Sequence, residues 1–281
     1  MNELTHIDSI ITHYDAVFCD IWGVVHNGVH AFEPALKVLY KIRQMGKSVI
    51  LLTNSPRLRE NVVAQLQSMK VHSDYYDAII TSGDVTRDLI HAAPRKVFFI
   101  GQQRDLMLFE GLDCELVEEW EASVVVCSGF LEDLDAQPSA YEDMFYRMRA
   151  RNLPFICANP DVIVHYGNQE FWCAGALARL YQQLGGEVRI AGKPHAPIYE
   201  CAFEKLQKIR GTVKKSQILA IGDGLLTDVK GATHFGLDVL YIMSGIHRYD
   251  YMQNGVVDKQ ALDSFLKHHG YKPQAIMWAL Q

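Results

Sequence analysis

The sequence predicts an α/β protein built on a parallel sheet, and three observations carry the prediction. Short apolar runs alternate with stretches of helical period, as they do where crossover helices bury parallel strands on both faces. Three of those runs end in polar or glycine-rich corners: Asp20 to Gly28, Thr53-Asn54-Ser55, and Gly222 to Asp228. The middle of the chain repeats the alternation without such a clustering of carboxylates, so it reads as a second α/β domain inserted into the first. The expected boundaries are 1–83 and 188–281 for the core and 84–187 for the insert.

In chain order, strands are expected over 16–19, 48–53, 78–81, 96–100, 123–127, 154–158, 218–221 and 239–243. Each is a run of four to six mainly apolar residues, too short for a helix and bounded by polar residues or turn formers. Helices are expected over 34–45, 57–69, 141–151 and 174–184, where apolar residues recur three and four apart. Ser55-Pro56 has the cap-then-proline order of a helix start. The apolar tail 275–280 is helix-like and is expected to pack on the core or on a partner subunit, which raises a homodimer as an expectation.

Composition excludes several classes of function. At 281 residues and 49% hydrophobic, the chain buries enough surface to fold without disulfides or structural metals. Its 27 basic and 33 acidic side chains leave a net charge of −6, and no basic run extends beyond 213–215. A nucleic-acid binder working by phosphate neutralisation is therefore not expected. The six cysteines include no Cys-x-x-Cys pair, and four stand in apolar surroundings as reduced core residues. The first fifteen residues lack the basic start and apolar centre of a leader, and no apolar run approaches membrane-spanning length. A cytoplasmic protein with no membrane partner is the expectation.

The corners carry chemistry. Asp20 follows the apolar Ala16-Val-Phe-Cys19 and precedes Trp22-Gly23, so its carboxylate stands at a strand end as a nucleophile, a hard-metal ligand or a plain turn residue. Asp223 and Asp228 also follow an apolar strand, and three carboxylates with backbone carbonyls suit an octahedral oxygen site for magnesium. In an open parallel sheet ligands bind beyond the carboxyl ends of the strands, so the corners are expected to converge. The Thr53 hydroxyl and the amides of the following helix start would suit a phosphate oxygen, or serve only as a cap. Lys193 lies between Gly192 and Pro194, where a stiff chain fixes its ammonium against a phosphoryl group or a carboxylate.

Asp20 with Gly23, Thr53-Asn54, Gly192-Lys193-Pro194, and Gly222-Asp223 through Thr227-Asp228 resemble, in that order, the four motifs of the haloacid dehalogenase superfamily. Gly28, Thr81-Ser82 and Ala158-Asn159-Pro160-Asp161 are similar to its subclass IIA, the NagD-like type. The resemblance covers nearly the whole chain. It implies a three-layer, Rossmann-like parallel-sheet core with an inserted α/β cap of C2 type, and a magnesium-dependent phosphatase acting on a small phosphorylated metabolite. Asp20 would attack phosphorus and become an aspartyl phosphate, which water then releases. Mg²⁺ would be held by Asp20, the backbone carbonyl of Trp22, Asp223 and Asp228, while Thr53, Asn54 and Lys193 would contact the transferred group. Asn159, Asp161 and the segment 169–175 would contact the substrate, although Asn159-Pro160-Asp161 also reads as a turn.

One position departs from the pattern. Phosphatases of this superfamily carry a second aspartate two residues after the nucleophile, as general acid and base, and this chain has Trp22. An indole offers one N–H donor and no useful proton chemistry. Such assistance contributes about 10²- to 10⁴-fold, roughly 3 to 5 kcal/mol of barrier. Three readings follow: a slow or atypical hydrolase, with His26 or His195 as a substitute acid or as structural residues; a degenerate member that binds a phosphometabolite; and a dehalogenase-like hydrolase, against which the intact Gly222-Asp223 and Asp228 speak.

Overall fold

A computed structural model describes residues 2–131, 137–167 and 169–281. Its strands, in chain order, begin with β1 (Glu3–Leu4), β2 (Ala16–Asp20), β3 (Ser48–Thr53) and β4 (Ala78–Thr81). There follow β5 (Lys96–Ile100), β6 (Glu115–Leu116), β7 (Val124–Cys127), β8 (Phe155–Cys157), β9 (Ile163–Tyr166), β10 (Gln169–Trp172) and β11 (Val188–Ile190). The last are β12 (Ile218–Gly222), β13 (Asp238–Ile242), β14 (Met252–Gln253), β15 (Val256–Val257) and β16 (Ala275–Met277). Two compact units result: the chain up to Thr53 with Gln65–Ile79 and Tyr199–Gln281, and Asn54–Ala64 with Ile80–Ile198.

The first unit is organised on a sheet of order β1-β16-β13-β12-β2-β3-β4. From β2 the chain steps outward to β3 and β4, and it returns to the other side of β2 at β12. The reversal between β2 and β12 is a topological switch point, where loops after adjacent strands diverge and leave a crevice. β2, β3 and β12 are buried along their whole length, as their unbroken apolar runs require. The second unit has its own parallel sheet, β11-β8-β7-β5-β6, and an antiparallel hairpin of β9 and β10. Phe145, Phe155 and Tyr181 pack in the core of that unit, with Phe155 stacked on Tyr181 at 5.2 Å between ring centres.

Two expectations are corrected. The helix after β3 begins at Arg59, not at Ser55-Pro56. Ser55 spends its carbonyl on the amide of Gly83 and its hydroxyl on the amide of Arg57, while the Arg59 amide finds Asp84 as acceptor at 3.3 Å. The helix start is served by a carboxylate from a distant segment, which no local pattern announces. The tail is likewise no helix: Ala275–Met277 forms β16, parallel to β13 and to β1. An apolar run of three or four residues has no periodicity of its own, so the sheet position decides its state. Cys19, Cys127, Cys157 and Cys173 are buried thiols, and all six cysteines are unbridged.

Candidate functional site

Asp20 ends β2 and Asp223 follows β12 directly; because these strands are neighbours in register Cys19↔Ile221, their last residues reach the same edge of the sheet. Asp228 arrives on the short π-helical turn Leu225–Val229. One carboxylate oxygen from each of the three lies within 4.8 Å of the others, and each residue is only 6% exposed. Three carboxylates so close and so buried repel one another unless a proton or a cation sits among them. The donor set is hard oxygen, as a magnesium-type ion requires.

Glycines shape the cluster. Gly23, at φ +85°, and Gly245 both approach Asp223: a Cβ on either would fall 2.1 or 1.9 Å from its Oδ2. That oxygen accepts the Ile246 amide at 2.8 Å. Asp228 Oδ2 accepts the Gly224 amide at 3.0 Å, and a Cβ on Gly222 would collide with the Asp228 side chain at 2.3 Å. Thr53, also 6% exposed, ends β3 beside β2. Gly245 and Ile246 had no signal in the sequence beyond a small residue after an apolar strand.

Trp22 and His26 belong to the loop that leaves β2. The loop is tight: the Gly23 amide donates to the carbonyl of His26 at 2.8 Å, and the Val25 amide to that of Ile21 at 2.8 Å. His26 is 2% exposed, and its Nδ1 accepts the Gly28 amide at 2.9 Å, which puts its proton on Nε2. Burial pushes this imidazole down to about 4, so it is neutral near pH 7. Its ring meets Trp22 edge to face at 4.9 Å. His26 is thus the structural reading of that residue; His195 is exposed.

The remaining candidates are in the second unit. Asn54 Nδ2 donates to Asp161 Oδ1 at 2.8 Å and to the carbonyl of Lys193 at 3.1 Å, while its Oδ1 accepts the Lys193 amide at 2.8 Å. Donors and acceptor of this amide are all taken, and they clasp the backbone of Lys193 on both sides. Gly192 is required for the clasp, since a Cβ there would lie 2.5 Å from Ser82 Oγ and 2.8 Å from Asn54 Oδ1. Lys193 is 3% exposed, which for an ammonium demands anionic company. Asn159 Oδ1 accepts the Asp161 amide at 3.2 Å, so this corner does form the side-chain-closed turn that its residues suggest. In the segment 169–175, Phe171 is half-buried, Trp172 is exposed and bonds Gln137, and Gly175 packs against the carbonyls of Pro160 and Asp161.

Comparison with known proteins bears on the family and the fold. A haloacid dehalogenase-like hydrolase family model matches residues 17–115, and a HAD-hydrolase-like model matches 190–267. A solved haloacid dehalogenase-like hydrolase from Brucella suis 1330 superposes with a TM-score of 0.90 at 52% identity, over 99% of this chain and 100% of that one. Ribonucleotide monophosphatase NagD of Escherichia coli K12 is 25% identical over 242 residues, 83% of this chain and 89% of its own. Phosphoglycolate phosphatase 1A, chloroplastic, of Arabidopsis thaliana is 21% identical over 267 residues, 87% and 72% of the two chains. No helix among the described residues is long and apolar enough to cross a membrane. With a Rossmann-like parallel sheet, an inserted α/β segment and a half-identical hydrolase relative along its whole length, the chain belongs to the haloacid dehalogenase-like hydrolases, in the NagD-like subclass IIA.

Proposed function

We propose that the protein is a phosphatase acting on a small phosphorylated metabolite through an aspartyl phosphate at Asp20, and that it favours substrates with good leaving groups. The observation that carries this reading is the buried trio Asp20, Asp223 and Asp228 at the switch point of the sheet. Its relatives include a ribonucleotide monophosphatase and a phosphoglycolate phosphatase. The trio, with the backbone carbonyl of Trp22, would hold a divalent cation of the magnesium type, which when bound offsets the charge of the carboxylates and of the phosphoryl oxygens. The insert 84–187 is proposed as the cap domain, and 1–83 with 188–281 as the core.

In the first step an Asp20 oxygen forms a bond to phosphorus in line with the ester oxygen, whose bond to phosphorus breaks. The departing oxygen leaves with the electron pair and needs a proton. Trp22 has none to give, and neutral His26 is too weak an acid, so the proton comes from water. That favours leaving groups stable as anions, such as phenolates or carboxylates, over alkoxides. In the second step water attacks phosphorus, loses its proton to solvent and restores the Asp20 carboxylate. Thr53 and the Lys193 ammonium are proposed to hold the phosphoryl oxygens. Asn54 positions the lysine through its backbone, and Asn159 and Asp161 border the substrate.

The test is hydrolysis of an aryl phosphate in magnesium. Asp20→Asn is expected to abolish it, and Trp22→Asp to raise it at least about tenfold by restoring an acid and base. Equal activity in the wild type and Asp20→Asn would sink the assignment. Trp22 also favours a second reading, a binding protein for a phosphometabolite. Acid quenching after incubation with acetyl phosphate separates the two: trapped covalent phosphate supports the enzyme, whereas ligand-induced thermal stabilisation with neither turnover nor trapped phosphate supports the binder.

A further inference from the structure

Asp223 is held from outside its own strand turn, by the loop that leaves β13. Gly222 and Tyr241 are partners in the pairing of β12 with β13, so that loop runs beside the Asp223 corner. Its fourth residue, Ile246, supplies the amide to Asp223 Oδ2 at 2.8 Å. Gly245 lets the backbone come close enough to do so.

Two anchors fix the start of the loop. The Tyr251 hydroxyl donates to the carbonyl of Met243 at 2.7 Å. Its single proton is then committed, so the Tyr241 hydroxyl, 3.0 Å away, is the donor between the two tyrosines. Both rings are buried, and among the described residues their hydroxyls bond only each other and that carbonyl. On the other side the Met243 amide donates to the carbonyl of Met277 at 2.9 Å, and the Ser244 amide to that of Trp278 at 2.8 Å. These continue the pairing of β13 with β16 past the strand ends.

We propose that the loop 243–246, moored by the Tyr241–Tyr251 hydroxyl pair and by β16, positions Asp223 for a divalent cation and thereby sets the cation affinity of the site. The proposal rests on the reading of Asp223 as a cation ligand. A carboxylate with one oxygen fixed by an amide presents the other in a single direction, so the ordering cost is met on folding and not on binding. Among the described residues the tyrosine hydroxyls make no hydrogen bond to the three carboxylates; they feel the charge of Asp223 at a distance, and their bonded link to it runs through the loop.

The test is Mn²⁺ binding to the full chain, read from the electron paramagnetic resonance of free Mn²⁺, with the melting of each metal-free variant measured beside it. Tyr251→Phe is expected to weaken binding about tenfold. The control is Tyr14→Phe, which removes a hydroxyl bonded at 2.9 Å to Asp238, at the opposite end of β13. It is expected to leave the affinity within about twofold. Unchanged affinity in Tyr251→Phe, or equal weakening in Tyr14→Phe, overturns the proposal while the cation reading stands. A wild type that binds no Mn²⁺ overturns both. Should Tyr251→Phe not fold, Gly245→Ala replaces it: Gly245 has no positive φ, so an added methyl acts through its 1.9 Å approach to Asp223 Oδ2, and unchanged affinity there overturns the proposal equally.

Discussion

His26 is the residue whose burial decides between the two roles the sequence left open. Beside a motif it reads as a stand-in for the missing aspartate or as a structural residue, and its Nδ1 is the acceptor that shapes the turn at Gly28. The pKa falls to about 4 from an ordinary 6.5, because burial penalises the charged ring. Between those values the unfolded chain binds a proton that the native protein refuses, so stability is full above about 6.5 and is lost as pH falls toward about 4. The difference of about 2.5 units corresponds to about 3 kcal/mol at most. His26→Asn keeps an acceptor near the Nδ1 position and has nothing to titrate. Its stability relative to the wild type is therefore expected to improve steadily as urea unfolding is repeated from pH 7 down to pH 4, and a constant difference would refute the assignment.

The loop after β3 shows how elements place chemistry. Asn54 grips the backbone of Lys193 from both sides, and Gly192 leaves room for Ser82 beneath it. Gly192→Ala puts a methyl into that space, which is expected to cost about 1 to 3 kcal/mol of stability by overpacking. It should also lower kcat more than it raises KM, because the lysine would be displaced from its place in the transition state. An unchanged kcat in the folded variant would free Lys193 of its proposed role. The strands that lead into Asn54 and Ser82 were legible: 48–53 and 78–81 are found at those bounds, since buried parallel strands leave unbroken apolar runs between turn formers. Asp20, Asp223 and Asp228 were legible as a group because strand ends on one sheet edge converge. The Asp84 carboxylate at the Arg59 amide and the strand β16 were not, because each depends on a partner remote in sequence; the hairpin β9–β10 was not, because its half-exposed strands lack an unbroken apolar run. Asn54 was legible as a motif residue, but its fully engaged amide follows only from the fold.

The charge of the whole chain, −6, gives an acidic protein with a buried negative cluster where β2 and β12 end. That cluster strains the metal-free state, because three buried carboxylates within 4.8 Å repel in a medium that screens poorly. A divalent cation bound there would convert the same charges into a source of stability, worth about 2.7 kcal/mol at a hundredfold excess over its dissociation constant. The gain belongs to the unit that holds the carboxylates, so calorimetry with added Mg²⁺ is expected to move the melting of that unit upward and to leave any separate transition of the other in place. Asp228→Asn removes one charge and keeps an oxygen that can accept the Gly224 amide. It should melt above the wild type without cation, through relief of the repulsion, and below it in Mg²⁺, through loss of the ligand. A variant that falls on the same side of the wild type in both conditions would show that repulsion among the three carboxylates does not govern the stability of this unit.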